Sequence, residues 1–275
     1  MRALDEPSPL AAVVAPSGLP VSVLVPVTGA TDPVRALLDT LATQTIGADI
    51  EVVIASAAAL PASLQTTLAD LFPGRHAQIV DPQASRGGLV DLAATRARPG
   101  CLVICDPGVR LPNPRTLALL SAIAADPHVG SASCSLAVVR QGAVQASVCG
   151  HVVSGVSFLG LPSLTFERID GRALVPGAAL PVLAVSLALL AIRSEVLAAV
   201  GGCGAAEGLD AAADVALGLR LAEAGFTNIA TTLVTALAPD LPPPRRAHPL
   251  VAGPGIAPAT LDRLFATTTV VQRVV

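Results

Sequence analysis

The chain has no tryptophan, no tyrosine and no lysine, and only five phenylalanines among 275 residues. Without aromatic side chains it lacks the platforms on which nucleic-acid bases stack and the rings of a membrane-interface belt. Carbohydrate-binding modules built on aromatic platforms are excluded on the same ground. All 17 basic residues are arginines, and the net charge is −3. No basic footprint for nucleic acid results. Charged residues are scarce at 13%, against the usual ~25%, and hydrophobic residues reach 52%. A chain so apolar is not globally disordered. Cysteines are few and odd in number: Cys101, Cys105, Cys134, Cys149 and Cys203. No C-x-x-C pair and no histidine at ligand spacing accompanies them, which argues against a zinc site. They read as reduced core thiols of a cytosolic protein. The N-terminus follows Arg2 with Asp5 and Glu6 and has no clean apolar region, so it does not read as a signal peptide.

Two uncharged runs demand a membrane test. Residues 173–192 are as long as a bilayer span, but Pro176, Gly177 and Pro181 would break a helix there. Residues 141–166 are rich in glycine, serine and other polar residues. Both read as buried core. A membrane-associated module attached through 173–192 is the rival reading of the first run.

Strand and helix signals alternate along the first half. VSVLVPV (Val21–Val27) and IEVVIAS (Ile50–Ser56) are β-rich runs apolar on both faces, as in central parallel strands. A short strand is expected near 77–80, and CLVIC (Cys101–Cys105) is a fourth. Helical spacing appears at Val34, Leu37, Leu38 and Leu41, then over 61–71 and 87–98. Such alternation predicts an α/β fold with a mostly parallel central sheet flanked by helices. Ligands of such sheets bind beyond the carboxyl ends of the strands. That draws attention to residues 28–31, 56–60 and 106–110. Further on, helices are expected at 114–125, 194–200 and 212–224. Strands are expected at 129–139 and within 226–238, with a hairpin turn at Gln141-Gly142. Residues 150–180 read as irregular. Residues 1–19 read as a flexible tail and 241–275 as a Pro-rich C-terminal tail.

Four stretches, in order, carry a family resemblance. They are residues 21–45, ending LATQT; 101–120, CLVICDPGVRLPNPRTLALL; 189–204, LLAIRSEVLAAVGGCG; and 214–226, DVALGLRLAEAGF. In this order they resemble the inverting family 2 glycosyltransferases, whose fold is the GT-A nucleotide-diphospho-sugar transferase fold. The hairpin 141–150, QGAVQASVCG, is similar to one in bacterial members that build polysaccharides and O-antigens. The resemblance covers residues 20–240, with a nucleotide-binding half at 20–110 and an acceptor half at 111–240.

It implies hexosyl- or rhamnosyl-type transfer from a nucleotide-diphosphate sugar to a glycan or lipid-linked acceptor, with inversion. It also implies work in the cytoplasm or at the inner face of the membrane, peripherally or within a protein complex. By motif position, Asp214 is the catalytic base. Asp106 contacts ribose or a divalent cation (Mg or Mn), and Arg86 binds the diphosphate.

The departures from the family pattern concern chemistry. Gly108 stands where a second metal-binding aspartate is expected, and Ala213 and Ala216 flank Asp214 in place of polar or acidic residues. Residues 55–59 lack the acids that hold the nucleotide. A leaving diphosphate gathers negative charge that a cation or arginine must meet, and one carboxylate is a poor site for a hard cation.

Each residue also has a bland explanation. Asp106-Pro107-Gly108 is turn chemistry. Asp214 suits a helix N-terminus. Arg86 also reads as a solvated surface arginine, and Arg220 as a structural residue in an ion pair with Glu223. The alternative function is therefore a degenerate homologue acting as a binding or scaffold subunit.

Overall fold

Strand β1 (Val21–Val27) is buried along its whole length, and its alternate side chains enter two different cores. Val21, Val23, Val25 and Val27 face one side and Leu24 the other, as the pleat requires. Strands β2 (Ile50–Ser56) and β4 (Cys101–Cys105) repeat the pattern. Helices α1 (Asp32–Ala42), α2 (Ala62–Leu71) and α4 (Thr116–Ala124) cover the first face. Helices α3 (Arg86–Arg96), α5 (Ser194–Ala199) and α6 (Ala213–Glu223) cover the second. Each fully buried leucine of α1, such as Leu37 or Leu38, contributes about 1.5–3 kcal/mol. This computed structural model describes residues 18–46, 50–140, 143–157, 163–204, 213–239 and 250–251.

Strand β3 (His76–Val80) pairs parallel with β2, β2 with β1, and β1 with β4. The carboxyl ends at Val27, Ser56 and Cys105 therefore share one sheet edge, as expected from the sequence. Strand order changes direction at β1, which lies between β2 and β4. Beyond β4 the sheet continues through β9 (Leu189–Arg193), antiparallel to β4, and β5 (Val129–Arg140). Strand β10 (Thr227–Leu237) runs parallel to β5 and pairs with β8 (Ala179–Val182). The fold is thus α/β with a mostly parallel central sheet flanked by helices.

Residues 150–180 are not irregular throughout. They hold the end of β6 (Ala143–Ser157), all of β7 (Ser163–Asp170) and the start of β8. Their glycine- and serine-rich composition hides them, because strand formation there comes from pairing with neighbours rather than from intrinsic preference. The uncharged run 173–192 forms β8 and most of β9 and is largely buried. Among the described residues no helix is long and apolar enough to cross a membrane. Strands β5 and β6 pair antiparallel up to Arg140 and Ala143; the expected turn Gln141-Gly142 lies outside the described residues. So do the two tails, apart from residues 18–19 and the short strand β11 (Leu250–Val251), which pairs with β7.

Candidate functional site

At the carboxyl edge of the sheet, between the ends of β1 and β4, lies a cleft of about 320 Å³. Residues 26–30 and 106–109 form two of its walls, and Arg86, Ala188, Ala238 and Pro239 complete it. Of the segments expected from the sequence, 28–31 and 106–110 contribute; 56–60 does not line it. This is the place where strand order reverses, the usual binding crevice of open α/β sheets.

Arg86 and Asp106 meet there. Arg86 opens α3, whose first turn is capped by the Ser85 hydroxyl accepting from the Gly88 N–H at 3.1 Å. Asp106 directly follows β4. Arg86 Nε and Nη2 both donate to Asp106 Oδ1, at 3.1 and 2.6 Å, and Nη2 also donates to the Leu187 carbonyl at 2.9 Å. Both side chains are about one-third exposed. These bonds leave the guanidinium fixed, with Nη1 unengaged by any described residue. The sequence alone does not reveal this pair, because its members stand 20 positions apart, across α3 and β4.

Gly108 has a structural reason. Segment 106–110 is tied to the end of β10 by paired backbone hydrogen bonds between Arg110 and Leu237, of 2.8 and 2.9 Å. That pairing sets Pro239 against Gly108. A Cβ added at 108 would stand 2.5 Å from Pro239 Cγ and 2.9 Å from Cδ. No side chain fits there while the ring stays. A Mg or Mn ion is implied by the resemblance, with Asp106 as a ligand. The residues present do not fit it. The cleft lining offers one carboxylate, whose Oδ1 already accepts twice from Arg86. Hard cations take six or more oxygen ligands, usually with several carboxylates or waters. Among the described residues, no three His, Cys, Asp or Glu side chains cluster suitably for a metal.

No protein-family model and no curated protein matches the chain. Solved structures do. The mannosyltransferase PcManGT from Pyrobaculum calidifontis, in complex with GDP-Man and Mn²⁺, matches 80% of the chain at 20% identity and TM-score 0.56. GalNAc-T7 with UDP, GalNAc and Mn²⁺ matches 80% at 13% identity and TM-score 0.61. S. aureus TarS matches 80% at 16% identity and TM-score 0.53. The chain spans 56%, 44% and 36% of those three proteins.

The fold is GT-A.

The cleft lies at the carboxyl ends of β1 and β4. Asp214 is not among the residues lining it. It stands in the first turn of α6, 22% exposed, with Oδ1 accepting from the Val215 N–H at 3.0 Å. Its Oδ2 is 3.8 Å from His151 Nε2, on β6. His151 is buried, and burial depresses its pKa; the Asp214 carboxylate pulls it back up, Arg168 pushes it down again, and the backbone bond to Ala184 raises it. No motif in the sequence marks His151 as a neighbour of Asp214. A short segment links the two places. The His151 N–H donates to the Ala184 carbonyl at 2.8 Å, and the Asp106 N–H donates to the Ala188 carbonyl at 2.8 Å. Four residues span at most about 14 Å.

Several motif residues hold structure instead. Gln44 donates to the Leu111 and Asn113 carbonyls and accepts from the Leu117 N–H, clamping the loop that follows the cleft. Arg193 donates to the carbonyls of Ala125, Asp126, Pro127 and Val129, where α4 ends. Arg220 does not pair with Glu223: its Nη1 donates to the Val200 carbonyl at 2.6 Å, at the end of α5. Gly201 and Gly202 follow with φ of +80° and +78°, a glycine-dependent helix exit. Asp91, on α3, accepts from the Cys203 and Gly204 N–H groups at 2.6 and 2.7 Å. It thereby ties that exit to the helix that carries Arg86. All five cysteines are buried. Burial pushes the thiols of Cys101, Cys134, Cys149 and Cys203 up to about 12, and Cys105 higher still.

Proposed function

We propose that the protein transfers a sugar from a nucleotide-diphosphate donor to a glycan or lipid-linked acceptor, with inversion, as in family 2 enzymes of bacterial polysaccharide assembly. It would work in the cytoplasm or at the inner face of the membrane. One observation carries the reading: in a GT-A fold, the crevice at the strand-order reversal is lined by a fixed arginine beside a carboxylate. The Arg86 guanidinium meets the diphosphate, and Asp106 holds that guanidinium and borders the donor. Charge developing on the leaving diphosphate is stabilised by a positive group already in place.

Asp214 is the proposed base. Its carboxylate takes the proton of the acceptor hydroxyl as that oxygen attacks the anomeric carbon opposite the departing diphosphate.

A second reading, a non-catalytic homologue that binds a nucleotide sugar or a protein partner, is favoured by Asp214 facing His151 rather than the cleft lining. Incubation with a panel of nucleotide sugars and candidate acceptors, following nucleoside diphosphate release, separates the two. The transferase reading expects turnover with at least one donor. Saturable donor binding without turnover across the panel would replace it with the second reading, and absence of any nucleotide binding would remove the donor cleft altogether.

A further inference from the structure

We infer that this cleft takes the diphosphate of its ligand without a divalent cation, because Pro239 closes the metal-ligand position at Gly108 and Arg86 supplies the positive charge instead. The inference rests on reading the cleft as the donor site.

Three observations carry it. The first is steric. The Pro239 ring occupies the volume that any side chain at 108 would need. The ring is not free to swing away. Leu237 and Arg110 hold each other by two backbone bonds, and the Ala238 N–H donates to the Ala137 carbonyl at 2.9 Å. Proline's own φ is fixed near −65°. The position is therefore closed, rather than merely missing an acid.

The second is the state of the remaining carboxylate. Asp106 Oδ1 accepts from two nitrogens of one guanidinium. A cation arriving there would meet a permanently charged group already 2.6 Å from Oδ1, with Oδ2 alone left as a ligand. The pair makes Asp106 the positioning residue for Arg86.

The third is the geometry of Arg86. With Nε and Nη2 committed to Asp106 and the Leu187 carbonyl, the guanidinium plane is set and Nη1 is left for an anion. Nη1 keeps two N–H donors for phosphate oxygens, on a guanidinium that is always charged. A charge held in position costs no reorganisation when the diphosphate leaves.

The test uses the full chain in calorimetric titration with UDP, GDP, CDP, ADP, dTDP and inorganic pyrophosphate, each in EDTA and in excess Mn²⁺. The expected result is binding of at least one of these, with affinities in the two buffers within about threefold. Arg86→Ala should weaken that binding about ten- to a hundredfold in both buffers. Binding seen only with Mn²⁺ overturns the inference while leaving the donor cleft intact. Binding in neither buffer overturns both. The plug is tested separately. Gly108→Asp with Pro239→Ala should gain Mn²⁺-dependent binding of the same ligand, whereas Gly108→Asp alone should melt earlier than wild type. If Gly108→Asp alone gains Mn²⁺ dependence at an unchanged melting temperature, Pro239 does not close the position.

Discussion

Replacing Gly108 by alanine tests the packing of the cleft with a single methyl group and no change in charge. The added Cβ would lie 2.5 Å from Pro239 Cγ and 2.9 Å from Cδ, and 3.7 Å from Cβ. Carbon pairs are comfortable at about 3.5–4.0 Å, so the first two contacts cannot persist and the third can. Pro239 follows a backbone anchored to Arg110 and Ala137, so the strain must be taken up by the strand end or by segment 106–110. Overpacking of this kind costs about 1–3 kcal/mol. At about 2–4 °C per kcal/mol for a domain of this size, the melting temperature should fall by about 2–12 °C.

Pro239→Ala removes Cγ and Cδ and keeps Cβ, which relieves the clash. On its own it loosens the unfolded chain and costs about 0.4–1 kcal/mol. The double variant should therefore be more stable than the two single losses predict. A coupling energy of about 0.5–3 kcal/mol is the range for residues in contact. Thermal melts of the four proteins, with urea midpoints as a second measure, close the cycle. An unchanged melting temperature in Gly108→Ala, or additive effects in the double variant, would show that Pro239 does not press on position 108.

Asp214→Asn should abolish turnover while nucleoside diphosphate affinity stays level, since general-base catalysis contributes ~10²–10⁴-fold; a pure helix-terminus role predicts only a loss of about 0.3–1 kcal/mol in stability. Turnover and melting temperature measured on the same two proteins tell them apart. Burial holds folded His151 below its ordinary value of 6.5, so the unfolded chain takes the proton first as pH falls. The stability this histidine confers is complete above the unfolded value and is lost as pH drops through it towards the folded value. Melting temperatures from pH 7.5 down to 5 should decline, and His151→Gln should flatten the decline; parallel curves would show that His151 is not its source. The five cysteines should be inert to a thiol reagent such as DTNB at pH 8 in the native protein and all react after denaturation. Fast labelling of any of them in the native state would contradict their burial.

The parallel half of the sheet was legible because its signal is local. Runs such as VSVLVPV and CLVIC are apolar on both faces, and the structure gives each face its own core. Leu37 and Leu38 were likewise marked by helical spacing. The end of β6 and strand β7 were not, because a ladder formed with distant partners leaves little trace in composition. In the site, Asp106 and Arg86 were marked by strand end and motif, but their contact was not, since pairing across a sheet edge has no sequence period. Gly108 looked like a lost acid. Its reason is at Pro239, 131 residues away, carried there by the Arg110–Leu237 pairing. His151 beside Asp214 was hidden for the same reason.

The energetics of the Arg86–Asp106 pair bear on whether the cleft is a working site or a remnant. Both groups are about one-third exposed. Pairs in such settings contribute about 0–1 kcal/mol to stability, and holding an arginine in one rotamer costs side-chain entropy. The fold gains little from the arrangement. Even so, the guanidinium is held from two directions, by Asp106 and by the Leu187 carbonyl. The helix that carries it is also clasped at Asp91 to the turn after α5. Gly87, next to Arg86, lies so close to that turn that an added Cβ would stand 3.0 Å from the Cys203 carbonyl oxygen. A positive group fixed this firmly at the mouth of a crevice is what anion recognition requires, because its ordering cost is met before the ligand arrives. Such a preset cation suits a ligand-binding cleft under either functional reading, and catalysis then turns on Asp214.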